Sequence, residues 1–304
     1  MRAHGYTYQA TLAASERIGW RVEDLIGDDK RLDFSRPFLP ESLARVEPLT
    51  FLSPRERLTL NQIRGLGYLH MFGVVEEFIL PFVLDHARPH LHGDSYAVRA
   101  LLEFASEEAK HIHLFRRFRE EFERGFGTPC REIGPADAVA RAVLGHQPLA
   151  VALTTLHIEW MTQRHWVEGV KDNQGLDPQF KSLLKHHWME EAQHSKIDTL
   201  MVESLARTAD VAAIDAAVEE YLEIGGMFDA ALAQQVEFDL DNLARATGRT
   251  LDAAERDTFV AVQLQGQRWT YLGSGMTHPN FTDTLAGLRP AAADRVAKVA
   301  EALS

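Results

Sequence analysis

The sequence predicts an all-α fold with four long core helices and further helices at both ends. Long segments repeat apolar residues at helical spacing, no run alternates with a period of two, and Pro and Gly cluster between segments. With 304 residues and neither a linker nor a low-complexity tract, the chain reads as one domain, 1–304.

An early helix is expected over about 7–26, followed by a wrapping loop punctuated by Pro37, Pro40, Pro48 and Pro54. Ser53 and Pro54 are an N-cap and a first-turn proline, opening the first core helix at about 54–88. Pro81 falls inside that helix and is a kink candidate. After the turn PHLHGD, the second core helix covers about 95–124, with Val98, Leu101, Leu102, Ala105, Ile112 and Phe115 at helical spacing. A short helix at 137–144 leads to the third core helix, about 148–172. The turn DNQG separates it from the fourth, about 178–207. Helical patterns at 210–246 and 251–272 and a short tail complete the chain.

Composition narrows the function. The net charge of −12 argues against nucleic acid or an anionic membrane surface as partner. The most apolar stretch, Gly67 to Leu84, carries His70, Glu76 and Glu77 in its middle, which points to a buried core helix rather than a membrane span. A single cysteine, Cys130, excludes a disulfide framework or a Cys-rich metal site. The N-terminal MRAHGYTYQA has no apolar run of signal-peptide type, so a cytoplasmic protein is expected. Any metal must then be held by carboxylate and His, and the 44 acidic residues and 14 His supply both.

The second core helix contains Glu108 and His111, and the fourth contains Glu191 and His194, each pair three apart and preceded by a second glutamate, Glu107 or Glu190. Three residues turn about 60° around a helix, so each pair can address one ion. Five Glu-Glu pairs and 14 His predict about 0.2 chance occurrences of Glu-Glu-x-x-His, and the chain has two. Both pairs continue an apolar stripe, where polar groups need partners inside the bundle. Glu107 and Glu190 read as facing solvent or a basic partner. The third core helix offers Glu159 on the face of Leu149, Leu153 and Leu156.

The first core helix offers Glu76, on a face with Leu69, Phe72 and Val83, or Glu77, on a face with Leu66, His70, Gly73 and Leu84. Glu77 is preferred because Gly73 leaves room one turn before it, and because Pro81 has no N–H for the Glu77 carbonyl. Glu77 to Glu108 is 31 positions and Glu159 to Glu191 is 32, so the chain reads as two copies of one half-site. One glutamate from each of two helices plus Glu-x-x-His from each of two others is the di-iron or di-manganese arrangement of ferritin-like bundles. Four carboxylates balance two divalent ions. His187 lies one turn before Glu191 and about 60° of helix spans all three of His187, Glu191 and His194, so it reads as a further ligand.

The set Glu77, Glu108, His111, Glu159, His187, Glu191 and His194 resembles the di-iron N-oxygenases typified by p-aminobenzoate N-oxygenase, over about residues 55–205. The resemblance implies a homodimeric helical enzyme with two iron ions that uses dioxygen to oxidise an aryl amine, drawing electrons from a reductase or small carrier. Manganese is the alternative metal. A ferritin-like metal oxidase or storage protein and a carbon hydroxylase on the same fold are the alternative functions. No residue stands out as the anchor for a p-aminobenzoate carboxylate. His70 and His157 read as core histidines rather than partners of the ligands.

Overall fold

The computed structural model describes residues 4–27 and 29–303. In order, the helices are α1 (Tyr8–Ser15), α2 (Glu41–Ala44), α3 (Pro54–Ala87), α4 (Ser95–Phe126), α5 (Ala136–Leu144), α6 (Pro148–Arg164) and α7 (Pro178–Arg207). The remainder are α8 (Val211–Thr247), α9 (Ala253–Arg268), α10 (Ser274–Met276), α11 (Pro279–Leu288) and α12 (Pro290–Leu303). Among the described residues there is no strand, and Gly27 and Lys30 form an isolated bridge.

The four core helices start where their capping chemistry says they should. Ser53 accepts from the Glu56 N–H while Glu56 bonds back to the Ser53 N–H, a reciprocal box with Pro54 at the first helical position. Asp94 accepts from Tyr96 and Ala97 at the start of α4, and Gly127 ends that helix in the left-handed region, φ 77°. Asp177 caps α7 through Phe180 and also accepts from the Asp33 N–H, tying the wrapping loop to the bundle.

α3 packs along α4 and α6 along α7, giving two hairpins that together form a ferritin-like four-helix core. α1 covers the α4/α7 side, whereas α8 covers the α3/α6 side. Among the described residues, the apolar α3 stretch is the one helix long and apolar enough to cross a membrane, and it is largely buried within the fold.

Two boundaries differ from expectation. The early helix stops at Ser15, and a short 3-10 turn, Val22–Asp24, replaces its second half. Between them residues 18–21 have no regular structure, and Trp20 lays its ring beside His111. The third core helix reaches Val170 only by widening into a π-turn, His165–Val170, and a second π-turn follows α9 at Trp269–Gly273. Arg164 bonds the Ser274 carbonyl and the Thr277 hydroxyl, stitching the region of the first π-turn to that of the second. Gly275 beside them has no Cβ to strike the His157 ring, whose Cδ2 lies 2.0 Å from where that atom would stand.

Candidate metal centre

Near the middle of the core, Glu76, Glu108, His111, Glu159, His187, Glu191 and His194 are all buried. Glu76, His111, His187 and Glu191 bring donor atoms within 4.8 Å of one another, and so do Glu108, His111, Glu191 and His194. Glu191 belongs to both groups and faces one with each oxygen. Its Oε1 lies 2.5 Å from His187 Nε2 and 3.2 Å from His111 Nδ1, and its Oε2 lies 2.7 Å from His194 Nδ1. His194 Nδ1 is also 2.9 Å from Glu108, and His187 Nε2 is 3.0 Å from Glu76. Glu159 arrives from α6 against Glu191 and is not within either tight group.

Glu76, not Glu77, is the α3 carboxylate in this cluster. Glu77 turns to the other side of α3, into a cleft with His70, Gly73, Arg116 and Arg119. Leu69, Phe72 and Val83 are fully buried and carry Glu76 inward with them, whereas Leu84, on the Glu77 face, is 43% exposed. Three bulky buried side chains thus outweigh a glycine gap as an indicator of the inward face. The correction also equalises the halves: 108 − 76 and 191 − 159 are both 32.

Glu107 and Glu190 are buried rather than solvent-facing. Each reaches across to the histidine of the opposite helix: Glu107 lies 2.8 Å from His194 Nε2, and Glu190 lies 2.8 Å from His111 Nε2. The second Glu190 oxygen takes Lys110 as its basic partner. A carboxylate on Nε2–H sets the tautomer and leaves the Nδ1 lone pair for a metal. In both histidines that Nδ1 points into the glutamate cluster.

The seal over this side is aromatic. Trp20 lies parallel to the His111 ring, with 8° between planes and centroids 6.1 Å apart, and Lys110 Nζ stands 4.1 Å from the Trp20 centroid. Phe104 stacks on His194 at 3.9 Å.

Proton distribution follows from burial and crowding. Burial, then the Glu108 charge, pushes the Glu76 carboxyl well above the ordinary range; burial also raises Glu108 and lifts Glu159 far up. Against the same burial, His187 and His194 hold Glu191 well below it. His111 and His194 are buried too, yet Glu191 and their other carboxylate neighbours hold them well above the usual imidazole range. Burial lowers His187.

These residues fit two divalent ions. Both Glu108 oxygens, Glu76 Oε2, Glu159 Oε2 and His111 Nδ1 are buried without a hydrogen bond. Such orphans are costly unless something of opposite charge sits among them. Four carboxylates and three imidazoles are a donor set for iron or manganese rather than magnesium. Metal binding there would displace protons from the raised carboxyls and from Nδ1.

Asp198 escaped the sequence reading. It lies one turn beyond His194 on α7, fully buried, with neither oxygen bonded and its carboxyl pushed well up by burial. Its spacing, four after His194 and seven after Glu191, was the available signal. His70 and His157 stand apart from the cluster. His70 bonds the Ile133 carbonyl, and His157 Nδ1 lies 2.8 Å from the Tyr221 hydroxyl.

No family model matches the chain, and no curated protein matches it. Among solved structures it is similar to variants of an R2-like ligand-binding oxidase. One carries an aerobically reconstituted Mn/Fe cofactor, with 16% identity, TM-score 0.49, and coverage of 88% of this chain and 94% of that chain. Another carries an aerobically reconstituted Fe/Fe cofactor, with 16% identity, TM-score 0.49, and coverage of 88% and 93%.

Proposed function

We propose that the protein is a non-haem di-iron oxygenase that oxidises a small organic substrate at the nitrogen of an aryl amine. The observation that carries this reading is His187, which adds a third imidazole to an otherwise ferritin-like set and touches both Glu76 and Glu191. A third histidine at that position is the feature shared with the p-aminobenzoate N-oxygenase pattern.

Glu76, Glu108, His111, Glu159, His187, Glu191 and His194 would hold the pair, Glu191 being the carboxylate common to both donor groups. When bound, two iron ions, or manganese in their place, supply the electrons that activate dioxygen. The chain's own residues do the rest. Glu107 and Glu190 keep a proton on each Nε2 and so orient His194 and His111. Trp20 and Phe104 exclude water from the α1 side. Electrons would come from a reductase or small carrier.

The test is one turnover: iron-loaded, reduced protein is exposed to oxygen with an aryl amine, and products are identified by mass spectrometry. Hydroxylamine or nitro products are expected. Hydroxylation of an alkane or fatty acid in preference to the amine would replace this reading with carbon oxidation. Mineral formation without any organic product would replace it with metal storage.

A further inference from the structure

On the side of the core under α8, a narrow cavity of about 30 Å³ lies between α3, α6, α8 and the π-turn at Trp269–Gly273. Its inner wall adjoins the metal cluster. Val75 and Ile158 line it and precede Glu76 and Glu159 in sequence. Phe72, which also lines it, stands edge-on to the His187 ring at 5.2 Å. A second, larger cavity, about 250 Å³, lies outward between α3, α5 and α8. Met71, Ile224 and Phe228 line both, so one layer of side chains separates the inner space from the outer. Met227, 41% exposed, stands in the outer wall.

Neither cavity has a Lys, Arg, Asp or Glu in its lining. The imidazole in the inner one, His157, is buried and meets the Tyr221 hydroxyl through Nδ1 at 2.8 Å, with no carboxylate beside it. The nearby cations Arg116 and Arg119 line a different cleft with Glu77 and His70. A carboxylate or ammonium group in the α8-side cavities would be stripped of water with nothing to pair it. Met71 at the waist is an unbranched, adaptable side chain suited to yielding as a ligand passes.

We infer that these two cavities are the binding site and access route for an uncharged, apolar small molecule, and that they reject a substrate bearing a carboxylate. The inference rests on the oxygenase reading only in making the occupant the substrate; the binding preference stands apart from it. A neutral aryl amine satisfies both, whereas an aminobenzoate supplies the amine but carries a carboxylate that the lining cannot pair.

Calorimetry on the full chain, with and without iron, tests this with 4-butylaniline against 4-aminobenzoate. The neutral amine should bind at least about 10-fold more tightly. Ile224→Trp, which fills the waist, should weaken it at least about 10-fold with an unchanged helical spectrum. Ala138→Trp, at the exposed outer wall and safe for folding, should slow association measured by stopped flow. Equal or tighter binding of 4-aminobenzoate, no binding of either compound, or normal binding kinetics in Ala138→Trp would overturn the inference. Tight binding of 4-butylaniline without oxidation of its nitrogen would sink the proposed reaction and leave this site standing.

Discussion

Under α1, His111 and His194 each sit among carboxylates; His157, under α8, and His165, in the π-turn after α6, sit against hydroxyl groups. All four are at least 96% buried, yet the first two are held well above the usual imidazole range while burial takes His157 to about 4 and His165 to about 3. Magnitudes explain the reversal. An ionised carboxylate 3 Å away contributes roughly 4–6 kcal/mol at an effective dielectric near 20, enough to overcome the burial penalty. A hydroxyl partner such as Tyr221, Tyr68 or Ser274 contributes about 1 kcal/mol and is not enough. The same residue type on the same scaffold therefore makes a charged, closed face suited to metal and a neutral, apolar face suited to an organic ligand.

The strongest way to break this contrast is to remove the carboxylate common to both donor groups. Glu191→Ala should lose both metals by elemental analysis, while Glu77→Gln retains two per chain. Loading with ferrous or manganous ion should raise Tm by roughly 10 °C in Glu77→Gln and not at all in Glu191→Ala. Two metals retained in Glu191→Ala, or a loss caused by Glu77→Gln but not by Glu76→Gln, would put the centre elsewhere.

A smaller effect is expected from the crossed pairs. Glu107→Gln and Glu190→Gln should each weaken metal binding about 10–100-fold, because each loosens one imidazole without removing a ligand. His157→Gln, on the other face, should leave affinity unchanged. Equal losses in all three variants would mean that general destabilisation, not orientation of His194 and His111, governs the effect.

The division between legible and hidden features follows from the range of the forces involved. Capping residues and helical periodicity act within a few positions, so Ser53, Asp94, Asp177 and Gly127 mark their helix ends plainly. The doubled Glu-Glu-x-x-His is equally local, which is why Glu108, His111, Glu191 and His194 could be named together. The choice between Glu76 and Glu77 turns on which face of α3 meets the core; weighing Leu69, Phe72 and Val83 above Gly73 would have settled it. Glu107 and Glu190 were hidden for a different reason. Their partners are on the opposite helix, 87 and 79 positions away, and no local pattern reports a contact across a bundle. Trp20 lay in an expected helix, but that helix ends at Ser15, and only the chain beyond it brings Trp20 to His111.

The mildest test separates the two faces by pH in the metal-free protein. His157 and His165 have folded values below the unfolded 6.5, so their contribution is present above 6.5 and is lost as pH falls toward about 4 and about 3. His111 and His194 have folded values above 6.5, so theirs is complete below 6.5 and is lost as pH rises through those values. The two pairs therefore lower Tm on opposite sides, by roughly 3–5 °C per pH unit for each proton in play, and the raised carboxyls of Glu76, Glu108, Glu159 and Asp198 add to the loss as pH rises above the ordinary carboxylate range. His165→Gln, which can still bond Tyr68 and Ser274, should flatten the acid limb alone. The flattening is partial, because His70, His86 and His278 are also held at about 4 by burial and keep titrating. Glu107→Gln weakens the hold on the His194 proton and should flatten the alkaline limb alone. If either substitution flattened both limbs equally, the histidines of the two faces would be coupled through the core, and the separation between a charged face and a neutral one would fail.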